Sequence, residues 1–568
     1  MISPRKAACL GLLGIVGLTG TGLIVTTKAP AADSKAGKVD SVALGREIFN
    51  REWLPGDGRS HGGDGLGPVY NDTSCVACHN SGGVGGGGPL SKNIDILSAS
   101  GGFIPPVVEA GQAAKPGQPQ RPTSDTKALY KVHAGFRAGR TVVLHKFGID
   151  PNYQAWRKSS LTPQTQGAMP LGPGVVVFNG GVGQVVTPLG APQQTEFASV
   201  TTTVTESVAP VPTGQVVSVP QAPQTVAPIE PPQATATVAF EGNITLNSFG
   251  TTPATAGSAR AQQQLQEAFA SMVSRTKGQI PAGEFVVSHS QRNATSLFGI
   301  GLLDAIPEAV IEAGAKPSKD FPETLGRVSR LKDGRVGRLG WKGQTANSED
   351  FVLTACAVEL GLEVPGHEQS ISPQAPKYKA GGEDLTADEC SALVAYVRSI
   401  PRPLERVGQL HEEKETITGG KALFASVGCA SCHNPKLGDV DGVYSDLLLH
   451  DMGPELADNG SYNGDGDDSD PLNPVLGNDI QARANRPATK QEWRTPPLWG
   501  FRDSAPYLHD GRADTLEQAV AGHGGQGRAS ALRFFELSHK DRLKLEAFLK
   551  ALVAPGAGGE DRAIAAKY

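Results

Sequence analysis

Two stretches of the chain carry residues whose types and spacing can do chemistry: Cys75-Val76-Ala77-Cys78-His79 and Cys429-Ala430-Ser431-Cys432-His433. Two thiols three positions apart share one turn, so both can reach the vinyl groups of a single porphyrin. The imidazole that follows then lies against the iron. A zinc knuckle would need further paired Cys or His close by, and a redox dithiol would not need the histidine twice. The spacing predicts two covalently attached c-type haems. Cys75, Cys78, Cys429 and Cys432 are the thioether positions, and His79 and His433 the proximal iron ligands.

Other elements must place these motifs. Gly45-Arg46-Glu47-Ile48-Phe49 leads into the first and Gly420-Lys421-Ala422-Leu423-Phe424 into the second, each as a helix. Each half also closes on an amphipathic helix, one opening at Leu385-Thr386 and ending at Pro401, the other running from Leu537-Ser538 to Leu552. Apolar residues at i, i+3, i+4 and i+7 and a Ser/Thr cap before an acid support both. A repeat joins the halves: Arg292-Asn293-Ala294-Thr295-Ser296-Leu297-Phe298-Gly299 echoes Arg494-Thr495-Pro496-Pro497-Leu498-Trp499-Gly500. Further on, Trp341-Lys342-Gly343-Gln344 parallels His509-Asp510-Gly511-Arg512.

These patterns predict a mainly α fold of two cytochrome c-like haem domains in tandem, 33–410 and 411–555, with a tail at 556–568. The first is enlarged by an insertion at about 105–285. Its low-complexity part, 181–258, is rich in Val, Thr, Pro, Gln and Ala and is expected to be partly β or disordered. Gly82 to Gly88 lacks the Lys-Ser/Thr of a phosphate loop, and reads as backbone packed close to a porphyrin.

The 568 residues include 52 Lys and Arg against 57 Asp and Glu, and this net charge of −5 gives no electrostatic case for nucleic acid. Gly 71 and Pro 42 exceed the background of ~12% for the two together, so much of the chain is loop. Arg5 and Lys6, the apolar run Leu10 to Val25 and Ala29-Pro30-Ala31 read as an export signal over 1–32, or as an uncleaved membrane anchor. The run is shorter than the ~20 residues a spanning helix prefers. The expected address is the periplasm. Cys9 lies ahead of the apolar core, badly placed for lipid attachment. Cys356 and Cys390, the two cysteines outside signal and motifs, form a disulfide or stay as two buried thiols.

Residues 40–110 and 285–555 resemble the di-haem cytochrome c peroxidase and MauG superfamily, nearest to its di-haem oxidoreductase branch, also described as peroxidases or thiol oxidoreductases. The most specific stretches are Gly299 to Pro307, Leu448 to Gly453, and Arg494 to Gly500 continuing through Ala505 to Arg512. The resemblance implies a distal ligand to the second haem fourteen residues after His509, which is His523, where such proteins usually have Met and MauG has Tyr. Paired imidazoles lower the potential of an iron relative to His/Met. His523 otherwise only ends its helix, with Met452 and His450 as rival ligands and His450 also able to orient a neighbouring group.

By the same resemblance Trp341 relays electrons between the porphyrins, or is ordinary core. Glu359, two residues out of register, is a distal acid–base group at the first haem, or a surface carboxylate at a helix end. His133 and His145 are candidate removable sixth ligands there. Arg494 pairs with a haem propionate, and Asn293, Ser504 and Pro506 match a calcium site. The implied function is an exported oxidoreductase that reduces hydrogen peroxide at the first haem. Its electrons come through the second haem from a small redox protein or a quinol-linked donor. Two alternatives stand beside it: an electron-transfer cytochrome with both irons six-coordinate, and an oxidase of a thiol or protein substrate.

Overall fold

The computed structural model describes residues 40–101, 127–137, 139–161, 258–272, 277–283, 285–458, 460, 462 and 488–555. The expected signal or anchor at 1–32, the low-complexity stretch apart from Ser258, and the tail at 556–568 lie outside the described residues. Among the described residues no helix is long and apolar enough to cross a membrane.

Each haem motif is positioned by two helices that cross with their backbones almost touching. Helix Ser41–Asn50 packs on helix Ala387–Ser399, and helix His411–Ser426 on helix His539–Lys550. A Cβ on Gly45 would stand 1.9 Å from the Ala392 carbonyl oxygen, and one on Gly420 would stand 2.0 Å from that of Lys544. Only glycine permits that approach. Four residues further on, Phe49 and Phe424 are buried, and their ring centres lie 6.5 Å from His79 and 6.4 Å from His433. The closing helices start where the sequence predicts. Thr386 and Glu389 form a capping box, and the Ser538 side chain accepts from Asp541 N.

The repeat is also present in three dimensions. Leu339 pairs with Thr345 and Tyr507 with Ala513, closing two short hairpins whose turns need Gly343 and Gly511 at φ 61° and 68°. Asn347 then caps helix Ser348–Glu359, as Thr515 caps helix Leu516–Ala521. Every one of these pairs is separated by 168 residues.

Two expectations need correction. The fold is mixed rather than mainly α, because a four-stranded antiparallel sheet is built from both flanks of the insertion. Its order is Thr141–Leu144, Ile94–Gly101, Phe285–Arg292, Lys277–Ala282. Leu97, Ala99, Val142, Leu144, Phe285 and Val287 bury one face of it. Second, helix Ala259–Ala270, which falls in the insertion of the first half, packs instead on Leu516–Ala521 and Arg528–Glu536, burying Ala261 and Leu265 in the second core. Among the described residues one core cluster joins Ile48, Phe49 and Leu393 with Leu437, Val443, Leu448 and Trp499, so packing continues across position 410.

Gly420→Ala checks the crossing by the sign of its effect. Helix propensity alone favours Ala by about 1 kcal/mol, whereas overpacking costs about 1–3 kcal/mol. The haem-loaded variant is expected to unfold at a lower temperature in calorimetry, and an equal or higher midpoint would contradict so close a contact.

Candidate active site

The larger of the two cavities beside the Cys-x-x-Cys-His motifs, about 300 Å³, is lined by Cys429, Cys432, His433 and His523. His433 Nδ1 donates to the Tyr444 carbonyl at 3.0 Å, and His523 Nδ1 donates to that of Ala519 at 2.7 Å. Both imidazoles therefore keep a free Nε2. Burial holds them neutral: His433 is brought down to about 4, first by desolvation and then by His523, and His523 is also lowered by burial. Their ring centres are 6.5 Å apart. Two imidazoles sharing one metal would be roughly 6–6.5 Å apart, from two bonds of ~2.0–2.1 Å and the distance from nitrogen to ring centre on each side. The pair fits an iron bonded on both faces.

The smaller cavity, about 140 Å³, is lined by Cys75, Cys78, His79, Ala355, Glu359 and Tyr462 among others. Gly86 in the glycine-rich loop accepts from His79 Nδ1 at 3.2 Å, and burial lowers His79 to about 4. The loop thus holds the proximal imidazole. Among the described residues lining this cavity there is no second imidazole and no thioether. The repeat shows why. His523 lies fourteen residues after His509, and the residue fourteen after Trp341 is Ala355. One cavity is closed from both sides by nitrogen; the other has a methyl group at the matching place.

Glu359 is the last residue of its helix, yet it faces this cavity rather than solvent. Asn71 Nδ2 donates to its Oε2 at 2.7 Å, and the Tyr462 hydroxyl donates to the same carboxylate. Burial raises its pKa, and the helix C-terminus adds to that because its dipole disfavours an anion. The bonds from Tyr462 and Asn71 and the charge of Lys146 oppose the rise.

Residues 335–552 match the family described as "Di-haem oxidoreductase, putative peroxidase". The methylamine utilization protein MauG of Methylorubrum extorquens is 33% identical over 142 residues, covering 24% of this chain and 34% of that protein. The cytochrome-c peroxidase IdrP2 of Denitromonas iodatirespirans is 31% identical over 205 residues, covering 32% and 54%. Residues 335–552 are thus similar to the di-haem cytochrome c peroxidase and MauG superfamily. The chain spans about a third to a half of the length of these curated relatives. A solved MauG-like protein associated with microbial copper homeostasis aligns at TM-score 0.25 and 20% identity over 45% of this chain and 92% of that one, too weakly to establish a shared arrangement.

Likeness to a di-haem family implies haem, and several further residues line the two cavities. Trp341 lines both cavities; its Nε1 donates to the Asn293 carbonyl at 2.8 Å, and its ring meets His509 edge-on at 6.5 Å. Arg494 is buried on the larger cavity. It donates Nε to the Gly340 carbonyl at 2.7 Å and Nη1 to that of Thr495 at 3.0 Å, and no carboxylate pairs with it among the described residues. Burial lowers its pKa to about 10. A guanidinium in that state has N–H donors to spare for a propionate.

Of the rival ligands, His450 is engaged elsewhere. His450 is buried with Nε2 2.9 Å from Asp446 and Nδ1 3.5 Å from Cys432 Sγ. Desolvation would lower its pKa, but Asp446 and Cys432 raise it to about 10, so it orients groups rather than offering a lone pair. Met452 lines the larger cavity close to Gly527. His133 packs on Trp156 and His145 donates to the Val358 carbonyl at 2.7 Å; neither lines the first cavity, which removes them as sixth ligands in this structure. Cys356 and Cys390 are two buried free thiols, not a disulfide. Asn293, Ser504 and Pro506 each line the larger cavity; Asn293 Nδ2 donates to the Gly88 carbonyl at 2.7 Å and to Asn93 Oδ1 at 2.9 Å.

Sequence reasoning missed Asn71, Ala355 and Tyr462. Ala355 could have been found by counting along the repeat; nothing local marks the other two. His523→Ala should turn a low-spin ferric second haem into a high-spin one in EPR of the haem-loaded protein. An unchanged low-spin signal would mean that another side chain holds that face.

Proposed function

We propose that this chain is an exported di-haem c-type oxidoreductase that reduces hydrogen peroxide at the first haem, with electrons relayed from the second by way of Trp341. One contrast carries the reading: Ala355 stands over the first cavity where the repeat puts His523 over the second, and Glu359 faces the space so left. Cys75 and Cys78 would tether the first porphyrin above His79, and Cys429 and Cys432 the second between His433 and His523. The bound porphyrins supply the one-electron chemistry and the site for peroxide oxygen.

The chain's own groups do the rest. Glu359 takes a proton from the nearer peroxide oxygen and returns it to the farther one, so that the farther oxygen leaves as water. Two electrons and two further protons complete the second water. The electrons come from a small redox protein or a quinol-linked donor. Asn71 and Tyr462 hold the carboxylate in place. Arg494 anchors a propionate on the wall that Trp341 shares. The periplasmic address rests on the N-terminal pattern of Arg5, Lys6 and the apolar run after them. A calcium ion at Asn293, Ser504 and Pro506 would steady the same wall.

A steady-state assay with peroxide and a reduced cytochrome, on protein whose mass shows two added haems, tests this reading. Glu359→Gln should lower turnover by roughly 10²–10⁴-fold. Ala355→His should close the first site as His523 closes the second, making that iron low-spin and abolishing turnover. No turnover by the pre-reduced wild type, with two low-spin centres blind to cyanide, would make the chain an electron carrier instead. Because burial raises Glu359, its basic form appears only above the ordinary value of 4.5, so activity should climb with pH through a limb above that value.

A further inference from the structure

Tyr462 belongs to none of the sequence motifs, yet it lines the first cavity beside Glu359. The segment that carries it is pinned two ways. Asp458 Oδ2 and Oδ1 accept from Arg292 Nη1 and Nη2 at 2.6 and 3.0 Å, and His509 Nε2 lies 3.3 Å from Asp458 Oδ2. The Gly460 carbonyl also accepts from Arg292, and Gly460 N donates to Asp458 Oδ1 at 2.6 Å. Burial raises the Asp458 pKa, but Arg292 and His509 outweigh it and hold the carboxyl well below its usual range. Arg292 ends the strand that leads to Asn293, and His509 sits at a hairpin tip against Trp341. The anchor thus ties this segment to the wall between the two cavities.

We propose that Tyr462 is the positioning residue for Glu359, its phenol donating to the carboxylate so that the base stays ionised and aimed into the first cavity. This rests on the peroxidase reading for the identity of the reaction, but not for the pairing itself. A carboxylate in an apolar, half-closed cavity tends to take up a proton and so cease to be a base. A phenol donor opposes that without adding a charge. Burial, and after it the neighbouring carboxylate, drive the phenol's own pKa well above its normal value, so its proton stays on oxygen and the donor persists at working pH.

The other groups that face Glu359 are accounted for. Asn71 donates a second bond to it and Lys146 brings a positive charge. Cys78 is near enough to respond to Glu359, and Asp72 and Lys92, which pair with each other, stand beside that cysteine. His145 donates to the carbonyl of the preceding residue, Val358, and not to the carboxylate.

The test is cyanide capture by the oxidised, haem-loaded protein, followed optically across pH. Hydrogen cyanide must give up its proton beside the iron, so the rate reports the distal base without any turnover. The wild type should show a limb that Glu359→Gln removes. Tyr462→Phe should move that limb upward by about one pH unit while both haems stay bound. If Tyr462→Phe does not retain haem, Asp458→Asn is the second variant: it keeps the phenol but loosens its segment, and should move the limb the same way. A limb that stays in place in the variant that retains haem, or a wild-type limb insensitive to Glu359→Gln, overturns the proposal. If the limb shifts but the protein reduces no peroxide, the pairing stands and the peroxidase reading falls.

Discussion

Two contacts between backbones, Gly45 on Ala392 and Gly420 on Lys544, govern the geometry of both cavities. At such a distance a helix cannot rotate or slide without collision, so the crossing sets which residues face inward. One turn on from each glycine, a phenylalanine is driven against the histidine that follows the paired cysteines. The backbone carbonyls of Gly86 and Tyr444 then take the Nδ1 hydrogens, which leaves each Nε2 as the only lone pair. Each pair of helices locked at one point thus aims one imidazole into its own cavity.

On this common scaffold the two halves part company at a single register position. A similar hairpin and a capped helix follow in each half, but the matching position on the cavity is Ala355, within its helix, on one side and His523, just past its helix, on the other. On the proposed reading, an iron held between His433 and His523 would have no room for a further ligand from solvent, which suits a centre that holds and passes electrons. The cavity under Ala355 has no matching imidazole among its described lining residues, and has a carboxylate whose proton affinity burial has raised. The hairpin tips also differ. One presents Trp341, which forms part of both walls, and the other presents His509, which stacks on Trp493 at 3.8 Å and braces the Asp458 segment.

Duplication thus accounts for the shared positioning, and the two cavities differ where the repeat departs from itself. Family likeness extends over 335–552, whereas the sheet formed by Ile94–Gly101, Thr141–Leu144, Lys277–Ala282 and Phe285–Arg292 lies outside that span. Yet the sheet leads directly into Arg292 and Asn293, which support the wall between the cavities. The insertion that separates the halves in sequence also sends helix Ala259–Ala270 across to the second core. The linear description of two domains in a row is thus physically incomplete.

What the sequence determined alone is whatever depends on near neighbours. Paired thiols beside a histidine, a glycine four residues before a phenylalanine, and apolar positions at helical spacing are all local, since covalent reach and helix geometry act over one or two turns. The contrast between His523 and Ala355 was also legible, because a repeat preserves counting distance. The tertiary structure alone decided what returns from afar. Asn71 meets Glu359 across 288 residues, and Tyr462 reaches the same carboxylate from a segment held by Arg292 and His509. No local pattern encodes such meetings: they exist only once the helix crossings have fixed where each backbone lies, and burial then gives the side chains their altered proton affinities.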